Sequence, residues 1–100
     1  MSTPTGEARD GETPPVEVHY WASARSAAGV DGDALPVDGP ISLAEVVRRA
    51  LALHPGTRLP DVIKVCSVLV GDRPSSTEDP DTVMVAPGTR VEFLPPFAGG

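Results

Sequence analysis

The residues best suited to chemistry stand together at the end of the chain, in Phe93-Leu94-Pro95-Pro96-Phe97-Ala98-Gly99-Gly100. A closing glycine presents an α-carboxylate with no side chain beside it. Gly99 and Gly100 lack the Cβ that would clash in a narrow channel, and both accept whatever φ and ψ a pocket demands. Pro95 and Pro96 do the opposite job. Their fixed φ holds the segment extended and away from a sheet, which lowers the entropy lost on docking. Stretched at ~3.3–3.6 Å per residue, the six residues from Pro95 to Gly100 reach about 20 Å. That is enough to carry Gly100 into another protein's buried site while the domain stays outside, with Phe97 as a hydrophobic anchor at the channel mouth. The plain alternative is a frayed end, since small residues accumulate at chain termini.

Other candidates carry less. Cys66, the single cysteine, lies within Val65-Cys66-Ser67-Val68-Leu69-Val70 with no base beside it, so it reads as a small core residue rather than a nucleophile, and no internal disulfide can form. Glu78, Asp79 and Asp81 lack the spacing and the glycine of a calcium loop. His19 has no evident second ligand for a metal. The formal net charge is −6, and only two of the eight basic residues, Arg48 and Arg49, are adjacent, which argues against a nucleic-acid partner. Those two arginines read as a solvated helix face, with an acidic partner as the other option. No apolar stretch approaches the ~18 residues of a membrane span, and the N-terminus lacks the pattern of a signal peptide, so a cytoplasmic protein is expected.

The elements that must position the tail are legible in outline. Residues 1–15 hold no large apolar side chain after Met1 and read as a disordered leader. From Val16 the pattern alternates: Val16, Val18, Tyr20 and Ala22 face one way, while Glu17, His19 and Trp21 face the other, which predicts a strand with one buried face. Gly29, Asp31, Gly32 and Asp33 supply turn chemistry between Ala24 and Asp33. A short strand follows at Ala34-Leu35-Pro36-Val37, and Pro36, which cannot donate a ladder hydrogen bond, assigns it to a sheet edge.

A helix is announced by Ser42 as N-cap, Glu45 three residues on as the partner in a capping box, and Ile41 placed to staple against Val46. Leu43, Val46, Val47, Ala50 and Leu51 make its apolar stripe. His54-Pro55-Gly56 ends it, with His54 beside the helix dipole. A turn of helix around Pro60 is predicted next. Cys66 to Val70 is rich in β-branched residues and predicts a central strand buried on both faces. After a polar loop come a short strand at Thr82-Val83-Met84-Val85, the turn Ala86-Pro87-Gly88-Thr89 and the alternating strand Arg90-Val91-Glu92-Phe93-Leu94.

Strands, one well-capped main helix and strands again make an α+β order. It predicts a β-grasp, ubiquitin-like, with a mixed sheet of four to five strands, the first and last of them inside it, and the helix packed across one face. The expected organisation is leader 1–15, domain 16–94 and tail 95–100.

From Val16 to Gly100 the chain resembles the MoaD/ThiS family of sulfur carriers, and within it the small subunit of molybdopterin synthase. Tyr20-Trp21-Ala22-Ser23-Ala24-Arg25 is similar to the family's aromatic-aromatic-Ala-x-x-Arg opening. Val91-Glu92-Phe93-Leu94-Pro95-Pro96-Phe97-Ala98-Gly99-Gly100 resembles its closing strand, Pro-Pro and Ala-Gly-Gly almost position for position. One departure is plain: Gly88-Thr89-Arg90-Val91 stands where the family usually reads Gly-Asp-Glu-Val, a loss of two acids.

The resemblance implies that the protein is a carrier and not itself an enzyme. A ubiquitin-activating-type adenylating enzyme, using ATP and Mg²⁺, would adenylate the Gly100 carboxylate, a sulfur donor protein would supply sulfur, and the resulting thiocarboxylate would act inside the molybdopterin synthase large subunit, as part of a heterotetramer. Pro95, Pro96, Phe97, Ala98 and Gly99 would be the partner-binding tail. No metal and no permanent cofactor is implied. Exposed aromatics at Trp21 and Phe97 would suit the large-subunit interface. The alternatives are a carrier for cysteine or thiamine synthesis, a ubiquitin-like protein modifier, and a plain binding module.

Overall fold

Alternation builds the middle of the sheet. The computed structural model describes residues 13–75 and 78–96. Strand β1 (Val16–Tyr20) buries Val16, Val18 and Tyr20 and leaves Glu17 exposed. It runs parallel to β7 (Arg90–Leu94), which buries Val91 and Phe93 on the same side. On its other flank β1 pairs antiparallel with β2 (Gly32–Leu35), and β7 pairs antiparallel with β4 (Ser67–Val70), which pairs in turn with β5 (Arg73–Pro74). The order is β2-β1-β7-β4-β5, a mixed five-stranded sheet with the first and last long strands adjacent inside it. β3 (Ile41–Ser42) and β6 (Met84–Val85) form a separate two-stranded ribbon.

β2 occupies an edge, as Pro36 requires, and ends at Leu35 just before it. β4 corrects the expectation of a central strand buried on both faces. Only the two-residue β5 lies outside it, Ser67 is exposed, and Val68 and Leu69 are half-buried. Its β-branched run reflects packing on one face, because the helices cover one side of the sheet.

The main helix, α2 (Leu43–Ala52), begins as predicted: the Glu45 N–H donates to Ser42 Oγ at 3.0 Å. The Glu45 carboxylate does not act as the reciprocal half of a capping box. It binds Arg49 Nε at 2.7 Å and Arg48 Nε at 3.0 Å, and these guanidinium groups, Arg48 first, hold its carboxyl below the usual range. Leu43, Val46 and Ala50 are buried in the core, and Val47 and Leu51 pack against it.

Two shorter helices accompany α2. α3 (Leu59–Ile63) forms around Pro60 as expected. α1 (Ala22–Ala28) stands where turn chemistry was read, and Ala22 belongs to it rather than to β1. Its residues Ala22-Ser23-Ala24-Arg25-Ser26-Ala27-Ala28 offer no large apolar stripe, so periodicity is silent there. Ala24 and Ala28, one turn apart, are buried, and their small size lets the helix lie close to its neighbours. Gly29, at φ 83°, closes α1 with its N–H on Arg25 O at 2.8 Å, a left-handed cap that favours glycine.

The core gathers β1, β7, α1, α2 and α3 around Val18, Tyr20, Val46, Leu59 and Phe93, with the Tyr20 and Phe93 rings stacked 6.2 Å apart. Where the leader meets the domain, Pro15 O accepts from the Gly88 N–H at 3.0 Å.

Candidate functional site

The root of the tail is built by the parallel pair at the sheet centre. β7 carries its ladder to Leu94, after which Pro95 is half-buried and Pro96 is exposed. Phe97, predicted as anchor, Ala98 and Gly99, predicted as part of the partner-binding tail, and Gly100, predicted as the reactive end, lie outside the described residues. The structure therefore places the base on which they stand. That base lies inside the sheet: β7 is flanked on both sides, by β1 and β4.

Trp21 is the residue set against this root. Its backbone is extended, at φ −115° and ψ 151°, and its N–H donates to Phe93 O at 3.2 Å, continuing the ladder one step past β1. Its indole Nε1–H donates to Glu92 Oε1 at 3.0 Å. Side chains at Trp21 and His19 share the sheet face opposite Tyr20, the alternation read from the sequence. Trp21 is 47% exposed, and with Ala22, Leu94 and Pro95 it lines an open apolar concavity beside the exit of the tail. Ala22 has φ 49°, the one positive φ outside glycine among the described residues. Such a conformation is uncommon for a residue with a Cβ. It turns the chain sharply from β1 into α1 directly after Trp21.

The remaining candidates fall elsewhere. Cys66 is half-buried with its thiol on Val62 O at 3.3 Å, and burial pushes that thiol up to about 11. It is therefore neutral near pH 7 and a poor nucleophile. Among the described residues no three acidic, histidine or cysteine side chains cluster as metal ligands. Also among the described residues, no helix is long and apolar enough to cross a membrane.

His54, read from sequence as a cap-region residue, does more than that. Its backbone N–H donates to Leu51 O at 3.1 Å at the end of α2, but its ring turns inward to Asp33 Oδ2, 2.6 Å away, and meets the Tyr20 ring edge-on at 5.8 Å. The same Asp33 oxygen accepts from the Tyr20 hydroxyl at 2.8 Å. Sequence reading missed this trio, since Asp33 looked like a turn residue. It ties the edge strand β2 and the end of α2 to the residue just before Trp21.

A curated relative, the molybdopterin synthase sulfur carrier subunit of Aspergillus niger, is 31% identical over 84 residues, which is 84% of this chain and 92% of the relative. The chain belongs to the MoaD/ThiS family of sulfur carriers. No family model matches it. Among solved structures, SAMP1 from Haloferax volcanii superposes with a TM-score of 0.70 at 20% identity, over 85% of this chain and 98% of that one. A second structure, the Haloferax volcanii small archaeal modifier protein 1, gives a TM-score of 0.67 at 18% identity, over 84% of this chain and 99% of that one. These likenesses fix the ubiquitin-like β-grasp fold.

Proposed function

We propose that this member of the sulfur-carrier family is the small subunit of a molybdopterin synthase, and that its working group is the α-carboxylate of Gly100. The observation that carries the reading is the 31% identity to a molybdopterin synthase sulfur carrier subunit along nearly that protein's whole length. The β7 root, paired on both sides and leading into Pro95 and Pro96, supports it, because a tail that must thread into a partner needs a fixed origin.

The chemistry follows from the group. A carboxylate is a poor acyl donor because its leaving group would be oxide. Reaction with ATP and Mg²⁺ in an adenylating enzyme forms the acyl adenylate and releases pyrophosphate. Sulfur at the sulfide level then attacks the carbonyl carbon, and AMP leaves with one former carboxylate oxygen on its phosphate. The product thiocarboxylate is ionised near neutral pH and is a soft nucleophile toward a bound pterin precursor. This chain supplies no acid or base to those steps. Its part is to present Gly100 at the end of the tail, with ATP and Mg²⁺ belonging to the activating enzyme, and to dock on that enzyme and then on the large subunit.

Intact mass after incubation with the adenylating enzyme, ATP, Mg²⁺ and a sulfur source tests the reading. Exchange of one oxygen for sulfur at Gly100 is expected, and co-purification with a molybdopterin synthase large subunit assigns the pathway. Larger conjugates would point to a protein modifier, and co-purification with a cysteine or thiamine synthesis enzyme to another carrier branch. A variant with one residue appended after Gly100 should fold normally and carry no sulfur; sulfur transfer by that variant would refute the role of the tail.

A further inference from the structure

We propose that Trp21, held by Glu92, is a positioning residue that sets the direction in which the tail leaves the domain. This rests on the tail being the reactive arm.

Three observations converge. First, Trp21 is attached to β7 twice within two residues of its end, by its backbone N–H on Phe93 O at 3.2 Å and by its indole Nε1–H on Glu92 Oε1 at 3.0 Å. The backbone bond fixes the Trp21 Cα beside β7 but leaves the two side-chain torsions free, and the indole bond to Glu92 is what holds the ring across the strand that delivers the tail. Second, the pinned ring forms one wall of the apolar concavity whose other walls are Ala22, Leu94 and Pro95. Leu94 and Pro95 are the last strand residue and the first tail residue, so the wall borders the exit itself. Third, Ala22 at φ 49° is strained and turns the chain away immediately after Trp21, which leaves the indole on the tail side instead of extending β1 past it.

Because Pro95 and Pro96 each have φ fixed, few torsions remain between this wall and Phe97. Fixing the first step of the arm therefore narrows the directions open to all of it, and a partner that captures the arm loses less entropy on binding. Glu92 contributes by orienting Trp21 and does not touch the reacting group. Its effect should fall on capture of the carrier rather than on the chemical step.

The test compares wild type with Glu92→Ala, Glu92→Gln and Trp21→Phe in adenylation and thiocarboxylation by the activating enzyme, with KM for the carrier and kcat measured separately. Trp21 is the sole tryptophan, so its fluorescence reports directly on the indole. In Glu92→Ala, loss of one hydrogen bond to a charged acceptor should raise KM about fivefold with kcat little changed. Its emission should move to the red as the ring enters water, and thermal stability should stay near that of wild type. Trp21→Phe, which keeps a ring but loses the donor, should show the same KM defect. Glu92→Gln retains an accepting oxygen and should restore both KM and emission.

If Glu92→Ala shows the red shift while KM is unchanged, the ring is released without consequence and the inference fails. Equal loss in Glu92→Gln and Glu92→Ala would also overturn it, since the charge and not the hydrogen bond would then matter. If wild type itself gains no sulfur, the reading of the tail as a reactive arm fails, and this inference with it.

Discussion

His54 Nε2 and the Tyr20 hydroxyl converge on one oxygen, Asp33 Oδ2, at 2.6 and 2.8 Å. Tyr20 is buried and precedes Trp21, His54 follows α2, and Asp33 lies in the edge strand, so this one oxygen links β1, β2 and the end of α2 at the end of the β1–β7 pair from which the tail leaves.

Removing that oxygen should be costly. Asp33→Ala leaves the buried Tyr20 hydroxyl without its partner, and a stability loss of about 2 kcal/mol is expected from an unsatisfied buried donor. Asp33→Asn keeps an accepting oxygen and should lose less. Urea unfolding of the two variants decides this, and equal, negligible losses would show the trio to be incidental.

The phenol of Tyr20 gives a pH prediction. Burial first, then its hydrogen bond to Asp33 and the charge there, push its pKa above the usual tyrosine range. The unfolded chain has the ordinary value near ~10. The stability contributed by the neutral phenol is therefore complete below that pH and falls as pH rises beyond it. Tyr20 is the only tyrosine, so the ultraviolet phenolate band can be assigned without ambiguity. The band should appear together with loss of the circular dichroism signal, and phenolate formation near pH ~10 in a still-folded protein would contradict this.

Gly32 is fixed by close approach. A Cβ added there would come 2.3 Å from the Val18 carbonyl oxygen, a backbone atom that cannot move without separating β1 from β2. Gly32→Ala should therefore destabilise by about 1–3 kcal/mol, the range for forced overpacking. A variant as stable as wild type in thermal unfolding would mean that the edge strand shifts freely.

Cys66 should behave as packing. With its thiol pushed up to about 11 by burial, alkylation near neutral pH should be much slower in the folded protein than in urea. Cys66→Ala should lose about 1 kcal/mol, on the scale of one buried methylene-sized group, and keep full sulfur loading. A folded variant unable to carry sulfur would restore the thiol as a chemical candidate.

The sequence by itself determined those features that depend on near neighbours. Alternation in 16–20 and 90–94 specified two half-buried strands, Ser42 and Glu45 marked the start of α2, Pro36 excluded its strand from the sheet interior, and Pro95 and Pro96 marked where the ladder ends. Each is written within a few residues, because strand period, helix capping and proline geometry are local properties. Tertiary structure alone decided the rest. Helix α1 rests on small residues whose burial only packing reveals, and β4 became nearly an edge strand because just two residues, Arg73 and Pro74, pair outside it. The pairs Trp21 with Glu92 and His54 with Asp33 join positions 71 and 21 residues apart. Hydrogen bonds at such separations leave no periodic trace, since they exist only once the parallel pairing of β1 with β7 and the docking of α2 have brought the groups together.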